Sequence, residues 1–188
     1  MNTKEKLIKA TVAIFARKGY ENTSIDEIVA KAKIAKGTFY YHFKSKEEIF
    51  FELIDQGIKS LIKKAQARLK DKISCQDKLN AVIEAQTEYF YDHRDICKII
   101  FMQGAMLKKR WKEYINKLKS QYIVIIKEIL SSGKNDGVFA IDDVEFVANR
   151  VFDTIAFASL DGIIFIKEKS RNDIIKNTKS FIFRGILK

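Results

Sequence analysis

Residues 19–50 read GYENTSIDEIVAKAKIAKGTFYYHFKSKEEIF, and this stretch decides the fold of the N-terminal part of the chain. Ser24 followed by Glu27 has the spacing of a capping box, in which two side chains bond backbone N–H groups at the start of a helix. The helix that begins there is expected to end at about Ala32, and a second helix follows over residues 35–43 after a short turn. Two short helices joined in this way are typical of a helix-turn-helix. We therefore predict that motif here.

The second of these helices carries polar side chains on the face that the core leaves outside. The residues expected to form that core against a first helix are Ile28, Val29, Ala32, Ile34, Phe39 and Phe43. A DNA major groove admits one α-helix, whose N-terminal residues reach the base edges. Lys36 and Thr38 are expected to contact bases, and Gly37 to let the backbone approach closely. The candidate DNA-binding residues, of which the last three are assigned to phosphates, are Thr23, Ser24, Lys36, Gly37, Thr38, Tyr40, Tyr41, His42 and Lys46.

The remainder of the chain also has the pattern of helices. There is no proline, glycine is scarce, and the apolar residues recur at helical spacing. An N-terminal helix is expected to end at Gly19, and further helices are predicted over residues 46–72, 76–92, 96–109, 111–131, 143–169 and 171–187. Asp95, and Asp142 with Glu145, are expected to cap helices, whereas SSGKNDG, residues 131–137, is expected to be a loop. The sequence thus predicts an all-α protein of about nine helices.

Charge is unevenly distributed along the 188 residues. The chain carries 35 Lys and Arg against 24 Asp and Glu, a formal net charge of +11, and residues 1–47 alone hold 10 basic and 5 acidic residues. A positive excess of this size favours polyanions as partners. Together with the helix-turn-helix, it predicts that the N-terminal part binds double-stranded DNA. Charge alone leaves open an alternative, a non-specific architectural DNA-binding protein.

The chain lacks the sequence signatures of several other classes of protein. The chain has no Gly-rich phosphate loop, no nucleophile elbow and only two histidines, so we expect neither an enzyme nor a cofactor. Cys75 and Cys97 form no disulfide framework, although a regulatory disulfide between them stays open. His93 near Cys97 could suggest a metal, but a histidine at a helix C-terminus already interacts well with the helix dipole, and we expect no metal. The run ATVAIFA is too short for export and no segment is long enough to span a bilayer, so we expect a cytoplasmic protein without a membrane partner.

The ordered residues of the stretch 19–50 resemble the N-terminal domain of TetR-family transcriptional regulators. That family's pattern reads G-[FY]-x-x-T-[ST]-[IV]-x-x-I-A-x-x-A-G-V-S-x-G-[ST]-[LF]-Y-x-[HY]-F-x-[SN]-K-E. The residues that fit it are Gly19, Tyr20, Thr23, Ser24, Ile25, Ile28, Ala32, Lys36, Gly37, Thr38, Phe39, Tyr40, His42, Phe43, Ser45, Lys46 and Glu47. Val29, Lys33 and Ala35 depart from it. Lys33 replaces the turn glycine and is expected to take a positive φ, and Ala35 replaces a hydroxyl residue and removes a cap.

The resemblance implies a function for the whole chain. It implies a helix-turn-helix DNA-binding domain over residues 1–47 and a helical ligand-binding and dimerisation domain over residues 48–188. It also implies a homodimer that binds a palindromic operator and responds to a small-molecule effector. We expect a repressor released by an apolar or amphipathic effector, because an apolar cavity with a few polar groups suits such a ligand.

The helix predicted over residues 143–169 gives separate support for a dimer. It is apolar nearly all round, so it has to be covered on more than one side. Covering by a second copy and burial inside a monomer both remain open at this point. The candidate interface residues on this helix and on the last one are Phe152, Ala156, Ser159, Ile163, Phe181 and Ile182.

Aromatic and methionine side chains concentrate in the middle helices, where an effector pocket is expected. The candidate pocket residues are Tyr89, Phe90, Phe101, Met102, Met106, Trp111, Tyr114 and Tyr122. Glu84, Glu88 and Asp153 could face a cationic ligand, but carboxylates at helical spacing also form ordinary solvated faces. The sequence does not distinguish pocket residues from core residues in this set.

Overall fold

The computed structural model describes residues 2–104, 109–164 and 170–188. Within these ranges the secondary structure consists of nine α-helices and one isolated β-bridge, between Phe139 and Leu187. The helices are α1 (Thr3–Lys18), α2 (Ile25–Ala32), α3 (Lys36–His42), α4 (Lys46–Leu69), α5 (Cys75–Asp92), α6 (Arg94–Gly104), α7 (Lys109–Asn135), α8 (Val144–Ile164) and α9 (Arg171–Ile186). The prediction of an all-α protein is confirmed. None of the helices in the described ranges is long and apolar enough to cross a membrane.

The chain folds as two compact units. The first unit comprises residues 1–57 and 95–113, and the second comprises residues 58–94 and 114–188. Helix α4 begins in the first unit and continues in the second from Ile58. The first unit therefore includes α6, which lies far from α1 to α3 in sequence.

The core of the first unit is built from α1, the helix-turn-helix and the start of α4. Phe15 of α1 meets Phe50 of α4 edge-on with ring centroids 5.7 Å apart, and both rings are buried. Such edge-to-face pairs add to the free energy gained from the buried area itself. Four of the six residues predicted for this core are buried and two are partly exposed. The buried four are Ile28, Val29, Phe39 and Phe43, and the partly exposed two are Ala32 and Ile34.

The core of the second unit lies where α5, α8 and α9 pack against one another. Small residues let these helices approach closely. At Gly162 of α8, a Cβ atom would come within 2.5 Å of the Tyr91 hydroxyl and 3.3 Å of the Ile174 side chain. The C-terminus is tied down by backbone hydrogen bonds, since the Ala140 N–H donates to the Ile186 carbonyl at 2.8 Å.

The prediction of a loop over residues 131–137 is wrong for most of that stretch, because α7 continues to Asn135. Gly133 serves close packing here, since a Cβ at this position would lie 2.1 Å from the Phe139 ring. The Val138 and Phe139 N–H groups both donate to the Gly133 carbonyl, at 2.8 and 3.0 Å. Gly137, with φ 70°, turns the chain after the helix. A glycine needed for packing looks the same in sequence as a glycine needed for a turn.

Two predicted helix caps are displaced, by one residue at α8 and by two at α6. Asp143, and not Asp142, caps α8, because its Oδ1 accepts from the Phe146 N–H at 2.9 Å. Helix α6 begins at Arg94, so Asp95 lies in its first turn instead of capping it. The caps predicted at Ser24 and Gly19 are confirmed. At α8, two adjacent aspartates offer two equivalent cap positions in the sequence. At α6, a single residue separates the helix from α5, so the sequence does not show where one helix ends and the next begins.

Candidate nucleic-acid interface

The start of α2 is fixed by two sets of hydrogen bonds. The Ser24 hydroxyl accepts from the Glu27 N–H at 3.2 Å, and the Glu27 carboxylate accepts from the Ser24 N–H at 3.0 Å, which completes the capping box. Glu27 also pairs with Lys18 at the end of α1. The hydrogen bond from Lys18, followed by the one from Ser24, lowers the pKa of Glu27 to about 2. This carboxylate thus joins α1 to the first helix of the motif.

The turn between α2 and α3 passes through Lys33, which has φ 55° and ψ 49°. This is the left-handed conformation expected when lysine replaces the turn glycine, and it costs a non-glycine residue roughly 1–2 kcal/mol. The Lys33 N–H donates to the Ala30 carbonyl at 3.2 Å, and the Ile34 N–H donates to the Val29 carbonyl at 3.0 Å. These bonds satisfy the end of α2 and direct the chain into α3.

Helix α3 is short and is anchored from one side. Ala35 occupies its N-cap without a side-chain hydrogen bond, as expected from the loss of the hydroxyl residue. Phe39 is fully buried, whereas Tyr40 and Tyr41 on the other side are 50% and 84% exposed. The candidate residues that share the solvent-facing surface of this helix are Lys36, Gly37, Tyr40 and Tyr41, with Thr38 and His42 half-buried at its edges. We call this surface the α3 face.

The Lys36 ammonium of the α3 face is held by a residue that the sequence did not single out. It lies 2.7 Å from Asp26 Oδ1 in the first turn of α2. The hydrogen bond that Lys36 donates to Asp26, followed by the negative charge of that carboxylate, raises the pKa of Lys36. Asp26 follows the N-cap Ser24, where an acidic residue is ordinarily explained by the helix dipole alone. Because the helix dipole already explains an acidic residue here, the sequence gives no sign that Asp26 also contacts Lys36 of α3.

Lys46 and Thr23, both candidates for DNA contact, are committed to the protein's own backbone. The Lys46 ammonium donates to the carbonyls of Tyr20, Glu21 and Thr23, at 2.6, 3.3 and 2.8 Å. It also lies 4.4 Å from the centre of the Tyr20 ring. The buried Thr23 hydroxyl donates to the Gly19 carbonyl at 2.7 Å. An ammonium has three donors, and all three of those on Lys46 are used in these bonds. We infer that both residues hold the loop after α1 in place, Lys46 from the start of α4 and Thr23 from within the loop.

The candidate pocket residues fall into different parts of the structure. Tyr89 and Tyr122 are buried and Phe90 and Tyr114 partly buried in the second unit, whereas Phe101 and Met102 are exposed in the first. Met106 and the side chain of Trp111 lie outside the part of the chain that the structure describes. Because Phe101 and Met102 are exposed, they do not line an enclosed pocket within the first unit.

The carboxylates considered for a cationic ligand are already neutralised by lysines and arginines. Glu84 lies 2.8 Å from Arg68 and 2.5 Å from Lys179, and Glu88 lies 2.7 Å from Arg68. Asp153 pairs with Lys119 and, at 2.7 Å, with Arg150. These contacts account for the three carboxylates without a ligand. In the described residues, no group of three His, Cys, Asp or Glu is arranged to hold a metal ion.

Buried polar atoms without a hydrogen-bond partner occur in the second unit. They are Gln86 Oε1, Thr87 Oγ1, Tyr91 Oη and Tyr122 Oη. Each such atom costs about 1–3 kcal/mol relative to a satisfied one. Two other buried hydroxyls donate to a carbonyl one turn earlier, Thr11 to Leu7 at 2.8 Å and Ser159 to Ile155 at 2.7 Å.

The candidate dimer residues divide between the interior and the surface of the second unit. Ala156, Ser159 and Ile182 are buried within the protomer, Phe152 and Ile163 are partly buried, and Phe181 is 70% exposed. Phe146 and Phe157, which belong to the same apolar helix but were not among the candidate interface residues, are also exposed on α8. A groove of about 600 Å³ lies between α8 and α9, with Phe146, Arg150 and Phe181 among its lining residues. We call this surface the α8–α9 face.

Two family models and a curated relative match the chain. The model described as bacterial regulatory proteins of the tetR family matches residues 7–53, and the tetracyclin repressor-like C-terminal domain matches residues 72–159. The HTH-type transcriptional regulator QacR of Staphylococcus aureus is 30% identical over 187 residues, which span 96% of this chain and 95% of that protein. The chain belongs to the TetR family.

Other TetR-family members extend the comparison. The fatty acid metabolism regulator protein of Bacillus subtilis is 25% identical over 151 residues, or 80% of this chain and 78% of that protein. The crystal structure of FadR from Bacillus subtilis in complex with stearoyl-CoA has a TM-score of 0.85 at 22% identity, over 96% of this chain and 98% of that one. Family membership makes this chain a transcriptional regulator with a helix-turn-helix, and not an enzyme.

Proposed function

We propose that the chain is a ligand-responsive repressor that binds a palindromic operator as a homodimer and is released by a small apolar or amphipathic effector. The α3 face carries this proposal. It presents Lys36, Thr38 and two exposed tyrosines on a helix held by buried Phe39. Lysine and threonine can bond base edges, and tyrosine hydroxyls suit phosphates.

We propose that the two functions belong to consecutive parts of the chain. We assign DNA binding to residues 1–47 and effector binding and dimerisation to residues 48–188. Within the first part, we retain Ser24, Lys36, Gly37, Thr38, Tyr40, Tyr41 and His42 as the proposed contacts. Thr23 and Lys46 instead position the loop at the base of the motif.

The α8–α9 face supports the dimer. Phe146, Phe157 and Phe181 expose three large apolar side chains on two neighbouring helices. Phe146 and Phe181 line one groove, and exposed apolar surface of this kind marks an interaction site in a soluble protein. A second copy using the same face would form an isologous, two-fold interface, and a two-fold protein fits a palindromic operator with half-sites roughly 34–36 Å apart or a multiple of that.

An apolar or amphipathic effector is consistent with two observations. FadR from Bacillus subtilis has been crystallised with stearoyl-CoA, an amphipathic ligand. In this chain the carboxylates Glu84, Glu88 and Asp153 are matched by the protein's own cations, which gives a cationic ligand no free partner among them. Binding that favours a second arrangement of the dimer by about 1–3 kcal/mol would lower operator affinity roughly 5- to 150-fold.

Selection of bound sites from random duplex DNA by the purified protein tests the proposal. An enriched palindrome, with sedimentation of the protein as a dimer, supports it. Binding without an enriched motif and with a steep loss of affinity in salt favours the architectural alternative, which family membership does not support. Phe181→Glu should convert the dimer to a monomer and abolish binding to the full palindrome.

A further inference from the structure

Gln86 and Tyr122 bring two unpartnered polar atoms into the core of the second unit. Both residues have no exposed surface, and neither Gln86 Oε1 nor Tyr122 Oη has a protein partner. Folded proteins pair the great majority of such atoms, so an unpaired one calls for a specific explanation. Gln86 belongs to α5 and Tyr122 to α7, so the two atoms come from different helices.

Both side chains meet at Phe152 of α8. Gln86 Nε2 donates to the Phe152 carbonyl at 3.0 Å, which fixes the amide with its oxygen turned away from this bond. The Tyr122 ring packs edge-on against the Phe152 ring at a centroid distance of 5.7 Å. Phe152 is therefore a shared neighbour of both side chains, of Gln86 through its backbone carbonyl and of Tyr122 through its ring. A ligand site of a mostly apolar kind uses a few polar groups such as these to orient what it binds.

The ammonium that lies over the Phe152 ring is already paired. The Lys119 ammonium lies 4.8 Å from the centre of the Phe152 ring, and it is bound by Asp153. Burial raises the pKa of Tyr122 far above its ordinary value, so its hydroxyl keeps its proton. Gln86 Oε1 thus needs a donor, and Tyr122 Oη can either donate or accept.

We infer that Gln86 and Tyr122 bind the uncharged polar group of the effector, a hydroxyl or a primary amide carried by an apolar chain. Such a group donates to Gln86 Oε1 and accepts from the Tyr122 hydroxyl, so each unpaired atom gains a partner. A quaternary ammonium has no N–H or O–H to donate to Gln86 Oε1, so it would leave that atom unpaired. This inference rests on the proposed effector function and specifies the chemical class of the ligand.

Calorimetric titration of the full chain with a matched pair of probes tests the inference. The probes are 1-dodecanol and dodecyltrimethylammonium, which share a chain length and differ in the head group. We expect the alcohol to bind at least about tenfold more tightly to the wild-type protein, because only it satisfies Gln86. We also expect the alcohol to lower the affinity for the selected operator.

Tyr122→Phe is the informative variant, because it removes the hydroxyl and retains the ring. We expect it to weaken 1-dodecanol binding about three- to tenfold, the value of one neutral hydrogen bond. In the absence of probe its melting temperature should stay the same or rise, because an unpaired buried hydroxyl has been removed. Gln86→Met should weaken the same probe, and Thr11→Val, which removes a buried hydroxyl of the first unit, should not.

The outcomes separate this inference from the proposed function. If 1-dodecanol releases the operator but binds Tyr122→Phe as tightly as wild type, the inference is wrong and the effector function stands. Tighter binding of dodecyltrimethylammonium than of 1-dodecanol also overturns the inference. If neither probe binds and operator affinity does not change, the proposal of an apolar or amphipathic effector fails with it.

Discussion

The Lys36 ammonium lies 2.7 Å from Asp26 Oδ1, so the residue proposed to read a base is bound by the helix before the recognition helix. Both side chains are exposed, and an exposed ion pair contributes little to stability in water. The pair nevertheless orients Lys36 and places a negative charge beside the α3 face. In the proposed complex DNA has to compete with Asp26 for this ammonium, and we expect the carboxylate to influence both affinity and specificity.

Asp26→Asn should increase affinity for DNA of any sequence more than affinity for the operator. The substitution removes a negative charge that repels phosphates. It also releases the Lys36 side chain from its fixed position, so that it can contact phosphates, which are the same in every sequence. We expect several-fold tighter binding to random duplex at low salt and a lower specificity ratio, measured by parallel titrations. Asp136→Asn, an exposed substitution in the second unit, controls for net charge. Equal effects of the two substitutions would show that the position of Asp26 does not matter.

Gly37→Ala should separate DNA binding from folding. Nothing lies within 4 Å of a Cβ built at Gly37, and alanine stabilises a helix relative to glycine by about 0.5–1 kcal/mol. We therefore expect a melting temperature that is unchanged or higher, together with weaker operator binding, because the new methyl group stands between the backbone and the DNA. Thermal unfolding and operator titration measure the two effects. Unchanged operator affinity would remove Gly37 from the interface.

Lys46→Met should destabilise the protein without changing the salt dependence of DNA binding. The variant loses hydrogen bonds from the Lys46 ammonium to three carbonyls, and we expect a loss of about 2 kcal/mol because part of the site is solvated. Denaturant unfolding measures this loss. The control is Lys44→Met, which removes the same charge from an exposed neighbour and should leave stability unchanged. If Lys46→Met instead weakened the salt dependence of DNA binding and unfolded at the same denaturant concentration as the wild type, Lys46 would be a phosphate contact after all.

Gly133→Ala should destabilise the second unit. The added Cβ would lie 2.1 Å from Phe139 Cδ2, which forces the ring or the end of α7 to move. Overpacking of this kind costs about 1–3 kcal/mol, measurable by denaturant unfolding. Adding Phe139→Leu should recover part of the loss, because it removes the ring that meets the new methyl group. A double variant less stable than the sum of both single effects would contradict this account.

His93 should make stability depend on pH near neutrality. Burial lowers the pKa of His93, with Asp92 opposing the shift, so the unfolded chain binds a proton at a higher pH than the folded protein does. The free energy of unfolding is therefore highest above the ordinary histidine pKa of about 6.5 and falls as the pH drops through that value. His93→Gln should flatten the pH profile of denaturant unfolding in this range. An identical slope in the variant would mean that another group titrates there.

Local features of the sequence determined the helices and the DNA-binding motif. The capping box of Ser24 and Glu27, the terminating Gly19 and the helical spacing of apolar residues were all read correctly, because each involves residues within one or two turns of one another. The left-handed Lys33 and the uncapped Ala35 followed from comparison with the pattern of a known family. These interactions need no knowledge of which helices pack together.

The use of residues that are distant in sequence depends on how the helices pack. Lys46 meets the Tyr20 carbonyl across 26 positions, and Gln86 meets that of Phe152 across 66, and no local pattern specifies either contact. The same holds for the pairing of Glu84 with Lys179. A polar side chain looks available in sequence, but burial and a fixed partner determine whether it can reach a ligand. Sequence therefore determined the kinds of helix and the family, and packing determined which side chains remain free to bind DNA or an effector.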